Sequence, residues 1–381
     1  MKLVFIRTKI DSTIFDAAAL GNGTHEPDAF ARLKINAKAG SSSKNIIAGL
    51  KSLSLISASE EWKFWHGTEV KIADLAETPV KFFPIDQTLV SKSLAVYIRE
   101  QGEPDIIWVE GRDFPPYIQQ ILDLCPNSFK MIYSKDWRPW KIAGLQHYDL
   151  CLVDEEWERL KVTAAFPHVS CGIWDKLIDY EETFRPLSCQ KIYDLCYVAY
   201  LRSRKNHELL FRAMAACDRK HLSCVCVGAD RRGYRHELQK LANDLQIDVH
   251  FVGEVAQSAV NRYINESRIG VMCSERDAVP RAILEYMAAD VPVLVNAELQ
   301  AGKRYVLPEA GQVRSPEEFH LGIRDILADY ERYSPRACYL ANYSFDRVMK
   351  TFVAVLAAAD RKFCCWRDVL NATGGQQEYS K

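Results

Sequence analysis

SERDAVPRAILEYMAADVPVLV, residues Ser274 to Val295, is the stretch from which the fold can be read. Just before it, Ile269-Gly-Val-Met-Cys273 is a short apolar run of the kind that forms a buried parallel strand. Ser274-Glu-Arg-Asp277 then turns polar. Pro280 stands where a helix would begin, at a first position that tolerates its fixed φ and missing N–H. The helix is expected from Pro280 to about Ala289, stopping at Asp290, and Pro292-Val-Leu-Val295 opens the next strand. A loop from a strand end into a helix N-terminus is an anion site, because free N–H groups and the positive end of the dipole point at it. Asp277 sits at that mouth, and Glu285 lies eight residues on, inside the helix. In isolation Asp277 could serve as an N-cap, and Glu285 could pair with Arg281 one turn back on a wet face.

The same alternation extends in both directions. Upstream, strands are expected at Met1–Arg7, Thr68–Asp74, Val80–Ile85, Pro104–Val109, Phe129–Ser134 and Asp149–Val153. Helices are expected over Lys44–Ile56, Thr88–Glu100, Pro115–Leu124 and Glu155–Ala164, with a turn at Gly21-Asn-Gly23. The stretch from Gly172 to about Lys191 is mixed and reads as a linker. The alternation then restarts with strands at Ile192–Ala199, Leu222–Val227 and Val249–Val252. Helices follow at Asn206–Cys217, Tyr234–Leu245, Ser258–Glu266 and Pro316–Leu327, and Phe345–Leu370 holds one or two more. The last ten residues, ATGGQQEYSK, have a disordered composition. Strands alternating with helices specify parallel, doubly wound sheets.

At 381 residues the chain exceeds one ordinary core, so two domains are expected. The apolar content of 48% and charged content of 26% are those of a globular protein, and a net charge of −1 gives no field for a nucleic-acid partner. No apolar run approaches the length that spans a bilayer; peripheral membrane contact stays open. MKLVFIRTK reads as a strand, not a signal peptide. The 12 cysteines include no C-x-x-C pair, and Cys224, Cys226 and Cys273 sit in apolar strands as small core residues. This usage points to a reducing compartment, and the expected location is the cytoplasm.

An acidic residue, seven others, then Glu in a helix that ends at a "PV" strand resembles the signature of family-4-type retaining glycosyltransferases. The resemblance runs from about Asp149 to Leu327, taking in YDLCLVDEEWERLK, VGAD at Val227–Asp230 and VHFVGEV. It implies the GT-B fold, two Rossmann-like domains facing each other across a cleft. On this reading residues 1–171 form an acceptor-binding domain, 172–191 a linker and 192–354 a nucleotide-sugar-binding domain, with packing of the helix of about 355–371 back on the first as a further option. The resemblance implies that Glu285 holds the ribose of a nucleoside-diphosphate sugar. It places Asp277 on the donor sugar, with Ala278, Val279 and Pro280 lining sugar and phosphate. Here Asp stands where the family usually has Glu.

Lys205, at the start of a helix after the first strand of the second domain, matches the family's diphosphate-binding Lys. Five residues earlier the family carries Arg, but position 200 is Tyr; Arg202 or Arg204 could take that place. Fixed cations there would stabilise charge growing on the leaving diphosphate. Gly228 ends an apolar strand, and Arg231 or Arg232 beyond it could face the nucleotide. In the first domain, Glu110, Arg112 and Asp113 follow one strand, and Lys135, Asp136, Trp137, Arg138 and Trp140 follow the next. Acids, Arg and aromatic rings suit a polyol acceptor, with Asp136 orienting its hydroxyl. A salt-bridged loop with Trp137 and Trp140 as packing is the alternative. His66 could reach the donor sugar.

No metal-ligand cluster, P-loop, GxGxxG or Ser-His-Asp pattern is present in the sequence. The expectation is metal-free, retaining transfer from a nucleoside-diphosphate sugar, UDP or GDP first, to a glycan, glycolipid or small-molecule acceptor. A nucleotide-sugar epimerase or hydrolase of the same fold, and a catalytically silent nucleotide-sugar-binding protein, are the alternatives.

Overall fold

In the computed structural model, the described residues are 1–8, 10, 41–75, 78–136, 138–218, 221–230, 232–277 and 280–373. The Gly21–Gly23 turn, Trp137, Arg231, Ala278, Val279 and the end of the chain beyond residue 373 lie outside them. The chain divides into two compact units, residues 1–175 with 348–381, and residues 176–347.

The first unit holds β1 (Lys2–Arg7), β2 (Ala58–Trp65), β3 (Lys71–Leu75), β4 (Thr78–Pro84), β5 (Ile106–Gly111), β6 (Phe129–Ser134), β7 (Leu150–Val153) and β8 (Ser170–Ile173). They form one sheet in the order β3-β4-β2-β1-β5-β6-β7-β8. Every pairing is parallel except the edge pair β3 and β4. A parallel sheet must be covered on both faces, and β1 shows both. Val4 and Ile6 join an apolar cluster that includes Trp62, Phe64, Tyr117 and Ile118. Phe5 meets Trp108 at 5.9 Å, and Trp108 in turn stacks on Phe352 at 5.4 Å. Phe352 belongs to the helix Phe345–Ala359, so this late helix covers the first sheet.

The second unit holds β9 (Tyr193–Val198), β10 (Ser223–Val227), β11 (Asp248–Gly253), β12 (Ser267–Met272), β13 (Val293–Asn296) and β14 (Gly311–Arg314). The order β11-β10-β9-β12-β13-β14 is all parallel. This is the 3-2-1-4-5-6 order of the dinucleotide-binding fold. Residues 176–191 are part of this unit: Leu187 N donates to Asn265 Oδ1 (2.7 Å), and the Arg185 carbonyl accepts from Asn261 and Asn265 (both 3.0 Å). The helix of the opening stretch is Arg281–Ala288, with Pro280 as its N-cap rather than its first residue. Asp290 (φ 61°) turns the chain after it.

Candidate functional site

The second sheet changes direction between β9 and β12: successive strands run outward from β9 to β11, then from β12 the other way. Ligands of such sheets bind outside the carboxyl ends of the strands at this point. Two loops emerge there, residues 199–206 after β9 and 273–277 after β12.

Tyr286 shapes the opening. The β9–β12 ladder pairs Ile269 with Leu195 and Gly270 with Cys196 and stops. Just beyond, Tyr286 Oη accepts from Val198 N (2.7 Å) and donates to the Val271 carbonyl (3.3 Å). One phenol thus satisfies backbone groups of both strands where the ladder ends. Gly270 makes room for it, since a Cβ there would lie 2.2 Å from Tyr286 Cγ.

Lys205 ends a short 3-10 turn, Ser203–Lys205. Asn206 (φ 50°) follows and caps the helix His207–Ala216, accepting from Leu209 N (3.2 Å). The Lys205 ammonium pairs with the Asp277 carboxylate, and these side chains are only 14% and 12% exposed. Asp277 is therefore not the N-cap; it is the counter-charge of Lys205. Its loop is tied down at three further points. Asn296 Nδ2 donates to the Cys273 carbonyl (3.1 Å), Gln300 N to the Glu275 carbonyl (2.9 Å), and Asn206 Nδ2 to Glu275 Oε1 (3.4 Å).

Glu285 is buried at 5% exposure, in a helix with seven consecutive buried residues. Burial pushes its carboxyl up, and Arg281, 3.8 Å away, opposes this. The pair with Arg281 exists, but not on a wet face. His207 is fully buried, and burial and then the Lys205 charge push it down to about 3. Its neutral ring has no hydrogen-bond partner among the described residues.

Tyr200 and Arg202 form a stacked pair, the guanidinium 5.8 Å from the ring centroid. The Arg202 Nε is buried without a hydrogen-bond partner among the described residues, whereas Arg204 is exposed. Gly228 is required by a close approach of backbone: a Cβ there would meet the Ala199 carbonyl oxygen at 2.1 Å. The approach lets the chain after β9 run beside the chain after β10, where Leu201 bridges Asp230. Arg232 is exposed.

In the first unit the expected acceptor residues gather at the strand ends of β5 and β6. Glu110 is not a loop residue but the next-to-last residue of β5, and it is 4% exposed. Its carboxylate pairs with Lys135 and lies 3.7 Å from Arg7 Nε. Arg112, exposed, ties the two loops together by donating from Nε to the Lys135 carbonyl (3.0 Å). Asp113 is exposed too. Asp136 Oδ1 accepts from Arg138 N (3.0 Å) and Arg138 Nε (3.4 Å), so it closes its own turn. Trp140 packs edge-on against Trp157 (5.8 Å), with Lys161 over its ring (4.6 Å). His66 is exposed just past β2. Among the described residues, no three His, Cys, Asp or Glu side chains gather as a metal-holding group, and no helix is long and apolar enough to cross a membrane.

Residues 181–338 match the family model of glycosyl transferases group 1. Among solved structures, sucrose-phosphate synthase from Thermosynechococcus elongatus is similar with a TM-score of 0.66 and 14% identity, over 98% of this chain and 100% of that one. Anabaena HepE, crystallised with UDP and glucose, is similar with a TM-score of 0.65 and 12% identity, over 94% and 100%. The lipopolysaccharide outer core galactosyltransferase WaaB is similar with a TM-score of 0.64 and 16% identity, over 94% and 99%. The chain has the GT-B fold of these structures, and its residues 181–338 carry the match to glycosyl transferases group 1. No curated protein matches its sequence.

The fold pairs Lys205 with Asp277 at the carboxyl ends of β9 and β12, with Arg202 in the same loop as Lys205, and the helix that carries Glu285 follows Asp277 in the chain. Sequence reasoning missed Tyr197, Tyr286, His207 and Asn296. Each sits in or beside an apolar run, where a single aromatic or amide gives no signal apart from its position.

Proposed function

We propose that the enzyme transfers a sugar, with retention and without a metal, from a nucleoside-diphosphate sugar to an acceptor hydroxyl. The observation that carries the proposal is the Lys205–Asp277 pair at the direction change of the second sheet. Lys205 supplies fixed positive charge for a leaving diphosphate, and Arg202, held against Tyr200, is the second cation. Asp277 meets the donor sugar, Pro280 lies next to it at the helix N-terminus, and Glu285 holds the ribose diol. The resemblance to retaining enzymes implies that the leaving phosphate helps to deprotonate the acceptor on the same face. HepE was crystallised with UDP and glucose, which favours a UDP-sugar as the first donor to test.

The acceptor is assigned to the strand-end edge of the first unit. Arg112, Asp113 and Arg138 offer polar contacts, with Asp136 orienting the hydroxyl and His66 at its margin. Glu110, buried against Lys135, braces this edge rather than meeting the acceptor.

UDP- and GDP-sugars with a panel of glycan and small-molecule acceptors test the reading, with NMR of the product for its anomeric configuration. Lys205→Ala is expected to lower kcat more than donor affinity, because the charge it meets grows in the transition state. Activity abolished by EDTA and restored by manganese would refute the metal-free part. Nucleotide binding without turnover of any sugar would favour the silent binding protein.

A further inference from the structure

We infer that Tyr197 is a positioning residue of the donor site, its one hydroxyl holding the Lys205 turn and the Ser274 loop in fixed register. Tyr197 lies in β9 and is fully buried. Its Oη donates to the Lys205 carbonyl at 2.6 Å. A phenol has a single proton, so the Ser274 hydroxyl, 3.2 Å away and itself buried, donates to Oη. One oxygen therefore joins the backbone of Lys205 to the loop that ends, three residues past Ser274, at Asp277. The ring is backed by His207, whose centroid lies 4.6 Å away. This tilted ring contact sets where Oη stands, and the two hydrogen bonds set what it holds. Moving either loop alone would leave a buried hydroxyl or carbonyl unpaired, which is costly in the interior.

The kinetic consequence rests on the donor-site reading above; the structural one does not. Tyr197→Phe keeps the ring and its contact with His207 and removes only the oxygen. In ligand-free protein, trace acetic anhydride with peptide mass spectrometry reads the reactivity of each lysine amine. The Lys205 amine is expected to react several-fold faster in Tyr197→Phe as its pair with Asp277 loosens, while lysines of the first unit keep their rates. With a nucleoside-diphosphate sugar, kcat should fall roughly tenfold while the acceptor KM is unchanged. A merely structural role would lower the melting temperature and move neither reading. Unchanged Lys205 reactivity overturns the inference. If Tyr197→Phe fails to fold, Ser274→Ala removes the second hydrogen bond alone, and the same rise, smaller, is expected at Lys205; no rise there overturns the inference too. A wild-type protein that turns over no nucleotide sugar, yet shows the Lys205 response, sinks the proposed function and leaves the role of Tyr197 standing.

Discussion

Lys205 and Asp277, 72 residues apart in sequence, form a half-dry ion pair at the carboxyl ends of adjacent strands. On the proposed reading, the carboxylate occupies the cation that a diphosphate would take. Removing its charge should therefore favour free anions while harming transfer. Asp277→Asn is expected to bind UDP or pyrophosphate roughly three- to tenfold tighter, a gain of about 1 kcal/mol from one relieved charge at a partly screened site. Calorimetric titration measures this. Equal or weaker affinity would mean that Asp277 does not compete with the anion.

Gly270 and Tyr286 make a second expectation. The phenol can bridge Val198 and Val271 only because position 270 has no Cβ. Gly270→Ala should force the ring aside and leave buried backbone groups unpaired, at a cost of about 2–5 kcal/mol. Urea unfolding followed through the second unit reports it. An unchanged midpoint would show that the ring relocates without loss.

Glu158 governs a pH dependence in the first unit. Burial and then the Asp154 charge push its carboxyl up to about 7, against hydrogen bonds from Asp154 N (2.9 Å) and Glu155 N (3.0 Å). The folded state then holds the proton more tightly than the unfolded state, whose carboxyl titrates near 4.5. Its contribution to stability is fully present below about pH 4.5 and is lost as the pH rises through 7, on the order of 3 kcal/mol. His207, pushed down to about 3, acts in the opposite sense, so the measurement is the difference between wild type and Glu158→Gln. The variant keeps an oxygen for both N–H groups and should gain stability relative to wild type from pH 5 to 8. A constant difference across that range contradicts the assignment.

Much of the second sheet is legible in the sequence because its central strands are near-continuous apolar runs between turn residues. β14 is not, since Gly311-Gln-Val-Arg314 is four residues long and half polar. β2 escapes for a different reason. It opens Ala-Ser-Glu-Glu, which reads as solvated, yet Ser59, Glu60 and Glu61 are buried. Glu60 is held by Lys2 (3.0 Å), Lys81 (2.9 Å), Trp62 (2.9 Å) and Tyr97 (3.0 Å), and Glu61 by Lys44 (2.9 Å). Except for Trp62, these partners come from elsewhere in the chain, so no local pattern reveals the strand. The same holds at the site. The spacing of Asp277 and Glu285 is local and legible, but the pairing of Asp277 with Lys205 depends on strand order. Tyr197 and Tyr286 look like any core aromatic until the strands they join are known.

The ribose assignment of Glu285 is the most direct test of nucleotide-sugar binding at this crevice. A carboxylate that receives two hydroxyl hydrogen bonds contributes about 1.5–3 kcal/mol. Titration of UDP and GDP into wild type and Glu285→Ala, with circular dichroism to verify folding, measures that contribution. The account predicts that at least one nucleotide binds wild type and that the variant binds it roughly ten- to a hundredfold more weakly. A folded Glu285→Ala with undiminished affinity would contradict it.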